Sequence, residues 1–492
     1  MLAWTIYISF LGVAVLMLLP SARPELARRV ALAASLLGLG AAFLGVMHRA
    51  PGFETIVKHR WIESLHIEYF LGADGISLTL VLLTGIASVT GILFSWNIEH
   101  RAKEFFAFYL ALIGGVYGVF LSFDLFLLFV FYELAIIPKY FLIAIWGSTR
   151  REYGAMKLAL YSFIGSAMVL VGIVAAYVQS GETTTSLIEL AKYPFPAHFQ
   201  VWAFPLVFVG FAILAGLWPF HTWAPTGHVA APTAASMLLA GVVMKLGAYG
   251  ALRVAMMLFP HGMEVWRNEV AALAVIGIVY GATVALVQKD FKFVIGYSSV
   301  SHMGFVLLGL ATITSIGLRG AVLQMFSHGI IAGLLFAVVG RMVYDRTHTR
   351  DLDELEGMHL GRVLPFAAGT FAIAGFASMG MPGFSGFVAE LQVLIGAWQS
   401  FPTMAILAGL GILVGVAYTL RALQKAFYGE AAESAELAKH SFPPISLPEK
   451  LGAGILLITT LVIGLHPQLL LGMIGPSLQA DMFKGLLGGI AQ

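Results

Sequence analysis

The stretch AILAGLWPFHTWAPTGHVAAPT, residues 212–233, interrupts a long apolar segment with three prolines, among them Pro219 and Pro225, and several polar side chains. A second stretch, FASMGMPGFSGFVAE at 376–390, interrupts another apolar segment with glycines and Pro382. Glycine and proline are common in membrane helices, so each break could be incidental. Because the two breaks match in position, they favour a transporter-type fold of inverted repeats with broken helices near the midplane.

The composition is typical of a protein that crosses a membrane many times. The chain has 492 residues, of which 59% are hydrophobic and only 11% charged. A soluble protein of this length would expose far more charge. The net charge of +2 and the lack of a basic block argue against nucleic-acid binding. The absence of cysteine excludes disulfides, cysteine-ligated iron–sulfur clusters and cysteine-bound zinc.

The apolar segments predict an all-α polytopic membrane protein. Taking roughly 20 apolar residues per membrane crossing gives about fourteen transmembrane helices. They lie near 2–20, 28–47, 75–96, 105–122, 124–146, 156–178, 201–217, 232–258, 271–287, 291–313, 318–343, 364–398, 404–426 and 451–472. The first segment has no basic region before it and no cleavage site after it, so it reads as a membrane helix. The longest polar connections, 48–73, 179–200 and 427–450, are too short for a soluble domain.

Basic residues are concentrated in the loops that follow odd-numbered helices. These loops contain Arg23, Arg28, Arg29, Arg101, Lys103, Arg150, Arg151, Lys289, Arg341, Arg346 and Arg350. Because cytoplasmic loops carry an excess of lysine and arginine, both termini are predicted on the non-cytoplasmic side.

The predicted membrane helices also contain a small set of ionisable residues. The set consists of Glu133, Lys139, Lys157, His221, His228, Lys245, Lys292, His302, His328 and Glu390. Such residues are costly in hydrocarbon and are functional candidates by default. Lys157 and Lys292 lie near helix ends and could extend to the interface instead. Lys245 lies too deep for that. Taken singly, His302 and His328 could be neutral core histidines, but the Glu/Lys/His series favours a proton relay.

The sequence gives little support for nucleotide binding, for a metal site or for a channel. No dinucleotide-binding or phosphate-binding glycine loop is present. His221 and His228 are seven residues apart across two prolines with no nearby carboxylate, which is poor spacing for a metal pair. A channel would show rings or a filter sequence and not a dispersed acid–base series. The residues by themselves therefore predict proton or cation translocation.

Several motifs resemble a known family when read in order. They are LSFDLFLLFVFYELAIIPKYFLIAIWG, PFHTWAPTGHVAAPTAASMLLAGVVMKLGAYGALR, FKFVIGYSSVSHMGFVLLG, AVLQMFSHGI, YDRTHTRDL and MPGFSGFVAELQVL. Together they resemble the antiporter-like subunit M of respiratory complex I, over roughly residues 70 to 430. After the second break, the related L, N and Mrp-type antiporter chains resemble SGFxxK, whereas this chain reads SGFVAE. The acid, Glu390, favours subunit M.

The resemblance implies a fold, a function and partners. It implies helices 1–3 over 1–104, one five-helix inverted repeat over 105–258, a second over 271–426, and a polar loop with helix 14 over 427–492. It implies proton translocation driven by quinone reduction in other subunits of an NADH–quinone oxidoreductase, in a bacterial inner membrane. NAD, FMN, iron–sulfur clusters and quinone would belong to partner subunits and none to this chain. L-like and N-like subunits and the lipid bilayer are the expected partners.

Three alternatives to this interpretation are open: an Mrp-like cation/proton antiporter, an ion-pumping subunit of a membrane-bound hydrogenase, and a non-pumping scaffold. Under the resemblance, Glu133 matches the glutamate that pairs with a lysine of helix 7. Lys245 matches the central lysine of helix 8, His302 and His328 the relay histidines, and Glu390 the terminal acid.

The chain departs from the family pattern at the switch itself. Leu214 occupies the position of the helix 7 lysine, and Thr226 that of an aspartate. Lys139 stands where relatives usually carry an apolar residue. We therefore hypothesise that the cation has moved, so that Lys139 now supplies charge near Glu133 and extends toward the space at Leu214. Six helical positions separate the two, so a direct contact would require a bend at Pro138 or a bridging water.

Overall fold

The computed structural model describes residues 1–20, 23–48, 52–429 and 442–487; part of the predicted polar connection at 427–450 lies outside them. Twelve helices in this part of the chain are long and apolar enough to cross a membrane. Ala3–Leu18 and the broken pair Pro365–Ser378 and Ser385–Ser400 are shorter, and they correspond to the first and twelfth predicted helices. The multi-pass helical fold predicted from hydropathy is thereby confirmed.

The helices that correspond to the fourteen predicted membrane helices are numbered α1 to α14. They are α1 Ala3–Leu18, α2 Pro24–Met47, α3 Gly75–Phe94, α4 Ala102–Leu121, α5 Leu125–Trp146, α6 Arg151–Gln179, α7a Ala197–Ala215, α7b Trp223–Ala230, α8 Thr233–Met256, α9 Pro260–Val287, α10 Phe291–Ala311, α11 Ser315–Thr347, α12a Pro365–Ser378, α12b Ser385–Ser400, α13 Pro402–Phe427 and α14 Leu447–Leu465. A further apolar helix, Gln468–Leu478, follows α14, and short helices occupy Leu187–Leu190, Leu352–Glu356, Leu360–Val363 and Lys484–Leu487.

One element was not predicted. The connection at 48–73, expected to be polar loop, contains an antiparallel hairpin of β1 Glu54–Ile62 and β2 Ile67–Ala73. Its β-branched and aromatic residues are typical of strands, but hydropathy alone records only that the segment is less apolar. The described part of the chain is therefore helical with one small sheet.

The starts of several helices were also predicted too late. α9 begins at Pro260, eleven positions before the predicted start at 271. The intervening residues include Glu264, Arg267 and Glu269, so hydropathy missed this start of the helix, although proline suits the first helical position.

Both predicted breaks are present. α7a ends at Gly216, whose φ of +88° is left-handed, and a 3₁₀ turn at Phe220–Thr222 leads into α7b. The indole N–H of Trp223 donates to the carbonyl of Ile213 at 2.8 Å, which satisfies an acceptor at the broken end. In the second break, Gly380 and Gly383 have φ of +72° and +100°. Only glycine adopts these angles without strain.

The described parts of the loops are divided between two faces. Loops that follow odd-numbered helices lie together on what we call the basic face, where Lys103 donates to the carbonyl of Leu19 and Arg350 to that of Val229. Loops that follow even-numbered helices lie on the opposite face with the sheet, which we call the hairpin face. There the N–H of Phe123 donates to Phe70 of β2. This alternation agrees with an antiparallel series of membrane crossings.

Candidate functional site

The centre of the site is Lys245, in the middle of α8. α8 is buried throughout residues 234–256, and Lys245 itself is 0% exposed. Two π-helical segments, Leu239–Val243 and Ala251–Met256, flank it. π-helical turns are rare and frequently occur at functional sites. The ammonium group donates to the carbonyl of Ala240, which lies in the first of these segments.

Lys245 is linked to α11 through His328. Lys245 Nζ and His328 Nδ1 lie 2.8 Å apart. Lysine ammonium can only donate, so a protonated Lys245 requires an unprotonated Nδ1 on the imidazole. The other nitrogen of His328, Nε2, has no hydrogen-bond partner among the described residues. The pair can thus share one proton and leaves one imidazole nitrogen available.

His302 on α10 continues the series toward α12. Its ring stacks on that of His328, with centroids 5.4 Å apart and planes inclined by 29°. His302 Nδ1 lies 2.9 Å from Glu390 Oε1, and His302 Nε2 lies 3.1 Å from Ser378 Oγ. Both nitrogens of His302 are therefore engaged at the broken helix, since Ser378 ends α12a and Glu390 lies on α12b.

The break in α12 shapes the surroundings of Glu390, whose side chain is buried. Gln324 Nε2 donates to the same carboxylate oxygen as His302, at 3.1 Å. A side-chain carbon added at Gly380 would lie 3.0 Å from the other oxygen, Oε2. The glycine thus provides the left-handed turn and also leaves space for the carboxylate.

A small polar cavity lies beside these residues. Its volume is about 10 Å³, which corresponds to about one water molecule. Its walls include Ser298, His302, Gln324, Ser327, His328 and Glu390. A single water there could hydrogen-bond with several of these groups and bridge the two histidines. The four residues Lys245, His328, His302 and Glu390 consequently form one continuous series from α8 to α12b.

On the basic-face side of Lys245 lie His228 and Lys292. His228 is fully buried, stacks on the Phe336 ring with centroids 4.6 Å apart, and has no hydrogen-bond partner on either nitrogen in the described structure. Lys292 is also buried, and its Nζ donates to the carbonyl of Ala231 at 3.1 Å. Lys292 therefore lies inside the protein, in the first turn of α10. It borders a cavity of about 200 Å³ lined also by Asn97, Trp146, Ser148, Tyr344 and Asp345.

The carboxylate that precedes α10 lies outside the membrane-spanning segment. Asp290 accepts from the N–H of Lys292 at 2.8 Å and pairs with Arg350 at 3.2 Å. Burial raises the pKa of this carboxyl, while Arg350 opposes the shift.

The first break gathers a separate group of side chains. His221 is buried with its ring edge-on to Tyr280, at 5.2 Å between centroids, and neither of its nitrogens has a hydrogen-bond partner in the described part of the chain. Lys157, which is partly exposed, donates to Thr226 Oγ1 at 3.3 Å. Pro219 lies in the break and Pro225 in the first turn of α7b, where its missing N–H costs no helical bond. Pro382 lies in the second break.

Glu133 and Lys139 remain apart. Lys139 is 1% exposed, and its Nζ has no hydrogen-bond partner among the described residues; the same holds for Glu133 Oε1. α5 continues as one helix through Pro138, and no ion pair joins Glu133 to Lys139 in the described structure. The contacts of Lys245 are with Ala240 and His328, and not with Glu133. Leu214 is buried in the core.

Sequence reasoning missed four contributing residues. Gln324 and Ser378 contact the Glu390–His302 pair, and their types gave no signal. Arg253 is completely buried on α8 and pairs with Asp74 before α3. Arg253 falls inside the predicted helix 232–258, so the rule that flags intramembrane charge could have identified it. No group of three or more metal-binding side chains occurs in the described structure.

The chain is similar to known proteins over most of its length. Residues 122–415 match the family model described as "NADH:quinone oxidoreductase/Mrp antiporter, TM". The chain is 38% identical over 460 residues to the NADH-quinone oxidoreductase subunit M of Rhodobacter capsulatus, covering 90% of this chain and 87% of that protein. It is also 38% identical over 464 residues to the NAD(P)H-quinone oxidoreductase chain 4 1 of Synechococcus sp. (strain JA-3-3Ab), covering 92% and 87%.

Two solved structures share the fold. A chain of the respiratory complex I from Thermus thermophilus with bound NADH superposes with a TM-score of 0.89 at 27% identity, covering 99% of this chain and 100% of that chain. A chain of the Mrp complex from Dietzia sp. DQ12-45-1b superposes with a TM-score of 0.86 at 22% identity, covering 99% of each. The second match concerns the fold alone.

Proposed function

The chain belongs to the NADH:quinone oxidoreductase/Mrp antiporter family, and we propose that it is a membrane-arm subunit of a complex I-type NADH–quinone oxidoreductase. It carries protons across the membrane while other subunits reduce quinone. The observation that carries this proposal is the continuous series Lys245–His328–His302–Glu390, with 2.8 Å and 2.9 Å contacts at its two ends. No redox step is assigned to this chain.

The series acts as a proton relay in which each member changes charge in turn. Protonated Lys245 passes a proton to His328 Nδ1, and His328 releases the proton on its Nε2 into the adjoining polar cavity. His302, which borders the same cavity, takes up a proton at Nε2, beside Ser378 Oγ. His302 then passes a proton to Glu390, 2.9 Å away. Once Lys245 is protonated again, its charge repels an imidazolium at His328, whereas His302 lies beside the carboxylate of Glu390. This asymmetry directs the proton toward the carboxylate.

Proton uptake occurs from the basic face. The cavity of about 200 Å³ opens the path to Lys292, and the buried His228 lies between this cavity and Lys245. Under the positive-inside rule this face is cytoplasmic, so both termini are non-cytoplasmic in a bacterial inner membrane. The repeat boundaries 105–258 and 271–426 place Lys245 in the first repeat and the other three residues in the second.

Glu133 and Lys139 are the proposed modulating pair. Neither has a hydrogen-bond partner in the described structure. Lys139 is buried and Glu133 is partly exposed, so the charge on Lys139 in particular is sensitive to a change in its surroundings. Lys139 takes the place of the cation lost at Leu214. His221, His228 and Lys292 are proposed to serve the path, and Pro219, Pro225 and Pro382 the helix breaks.

The partners follow from the same assignment. L-like and N-like antiporter subunits would adjoin this chain in the bilayer, and NAD, FMN, iron–sulfur clusters and quinone would be held by other subunits. An Mrp-like antiporter is the second candidate, because the family model that matches residues 122–415 includes Mrp antiporters as well. The acid at position 390, which pairs with His302, favours the complex I assignment. An Mrp-like function would appear as cation/proton exchange in the absence of an electron donor.

The test is the proton-to-electron ratio of the assembled complex in proteoliposomes. We expect Lys245→Ala and Glu390→Ala to assemble and to transfer electrons, but with a lowered ratio. Lys192→Ala and Glu269→Ala, which alter exposed residues, serve as matched controls and should keep the wild-type ratio. An unchanged ratio in Lys245→Ala and Glu390→Ala would show that this chain does not pump by this route.

A further inference from the structure

A second polar column leaves Lys245 in the opposite direction, toward the hairpin face. Lys245, Tyr249 and Arg253 occur at every fourth position of α8 and therefore lie on the same side of the helix. All three are 0% exposed. Eight helical positions correspond to about 12 Å along the axis. Polar groups thus extend from the middle of the membrane to its edge, where protons could escape.

The column ends in a buried ion pair between Arg253 and Asp74. Arg253 Nη2 binds both carboxylate oxygens of Asp74. Asp74 also accepts from the N–H groups of Ile76 at 3.1 Å and Ser77 at 3.0 Å, which caps α3. Arginine has no acceptor and does not lose its proton in proteins. The guanidinium therefore cannot pass a proton onward.

Aromatic side chains and a methionine enclose the guanidinium. Its carbon lies 5.1 Å from the Phe123 ring centre, 5.4 Å from that of Phe483 and 5.5 Å from that of Tyr249. Nη1 lies 3.4 Å from Met482 Sδ. Phe483 and Met482 belong to the segment after α14, so the end of the chain closes over the column.

Tyr249, between Lys245 and Arg253, is also fully engaged. Its hydroxyl donates to the carbonyl of Phe120 at 3.0 Å, receives Arg253 Nε at 3.3 Å and lies 3.2 Å from Ser77 Oγ. No hydrogen-bonding capacity remains there for a chain of water.

We infer that Arg253, held by Asp74, is a proton-tight seal that closes the hairpin-face exit from Lys245 and forces its proton through His328. A fixed cation in a narrow, low-dielectric passage repels an arriving proton, as arginine does in water-selective pores. This inference rests on the proposed function, because it assumes that Lys245 carries a transferable proton.

The test is the passive proton flux of proteoliposomes containing the assembled complex, driven by an imposed pH gradient with no electron donor. Arg253→Gln should raise the flux about tenfold, the change produced by a barrier lowered by about 1.4 kcal/mol. Adding Lys245→Ala to Arg253→Gln should return the flux to the wild-type level, since the leak passes through Lys245.

Two control variants separate charge from packing. Arg253→Lys and Asp74→Asn both keep the cation, and asparagine also keeps the helix cap, so both should remain tight. If Arg253→Gln assembles poorly, Arg253→Gln with Asp74→Asn replaces the ion pair by a neutral hydrogen-bonded pair and should leak equally.

A wild-type flux in the neutral variants, or an equal leak in Asp74→Asn, would overturn the seal. The flux is measured without electron transfer, so it tests the seal separately from pumping. If Arg253→Gln leaks while Lys245→Ala still pumps, Arg253 is a barrier to protons but Lys245 is not part of the relay.

Discussion

Replacing Lys139 by methionine should change the stability of this chain and its pumping in opposite directions. Lys139 is buried without a hydrogen-bond partner in the described structure, and removing a charge from such a site relieves a desolvation cost of several kcal/mol. The opposing term is the lost attraction to Glu133. Six helical positions place the two about 9 Å apart along the axis. For charges separated by a distance of that order, at an effective dielectric constant of about 20, the attraction is about 1–2 kcal/mol.

The balance predicts that Lys139→Met raises the free energy of unfolding by about 1–3 kcal/mol. If Lys139 has taken over the role of the lysine absent at Leu214, the same variant should lower the proton-to-electron ratio. Adding Leu214→Lys should partly restore that ratio by returning a cation to α7a.

The assay combines the thermal midpoint of the purified complex, at one scan rate, with the proton-to-electron ratio in proteoliposomes. Lys192→Met, at an exposed position, controls for loss of a lysine as such. A Lys139→Met complex that pumps normally would disprove the relocated cation. A lower thermal midpoint would show that Lys139 is satisfied by a partner, contrary to the energetic argument.

Two further outcomes are expected from the structure. Gly380→Ala should lose about 1–2 kcal/mol of stability, because φ of +72° at this residue is left-handed. It should also lower the proton-to-electron ratio, because the added methyl group would displace the Glu390 carboxylate. Gly409→Ala is the control: Gly409 has open space around it, so this variant should be neutral or slightly stabilising in the same thermal and pumping assays. Burial raises the pKa of Asp124, which lies just before α5. Its contribution to stability is therefore present at low pH and lost as the pH rises through that raised pKa. Thermal unfolding measured across pH should show this decline in the wild type and not in Asp124→Asn, and a parallel decline in the variant would assign it to another group.

The breaks and the ionisable residues inside the helices could be predicted from the sequence because their signals are local. Pro219, Pro382 and the glycines beside them are incompatible with an uninterrupted helix, and ionisable side chains are rare enough in apolar segments to be recognised one by one. Hydropathy located the membrane helices for the same reason, since each apolar run has to match the bilayer.

The unpredicted features depend on contacts between distant segments. The π-helical turns around Lys245 leave no periodicity signal, and Gln324 could not be joined to Glu390 without knowing that α11 packs against α12b. The separation of Lys139 from Glu133 depends on how α5 passes Pro138, which sequence leaves open. Arg253 was overlooked although its burial in α8 followed from the predicted helix.

The central claim is that Lys245, His328, His302 and Glu390 form one proton path. The most direct test is a double-mutant comparison of the proton-to-electron ratio with His328→Phe, Glu390→Gln and the two combined, in complexes that transfer electrons normally. Phenylalanine keeps an aromatic ring in the stack but has no nitrogen. Residues on one path give non-additive losses. We predict that each single variant lowers the ratio and that the double variant lowers it no further. Additive losses, or a wild-type ratio in either single variant, would contradict the relay.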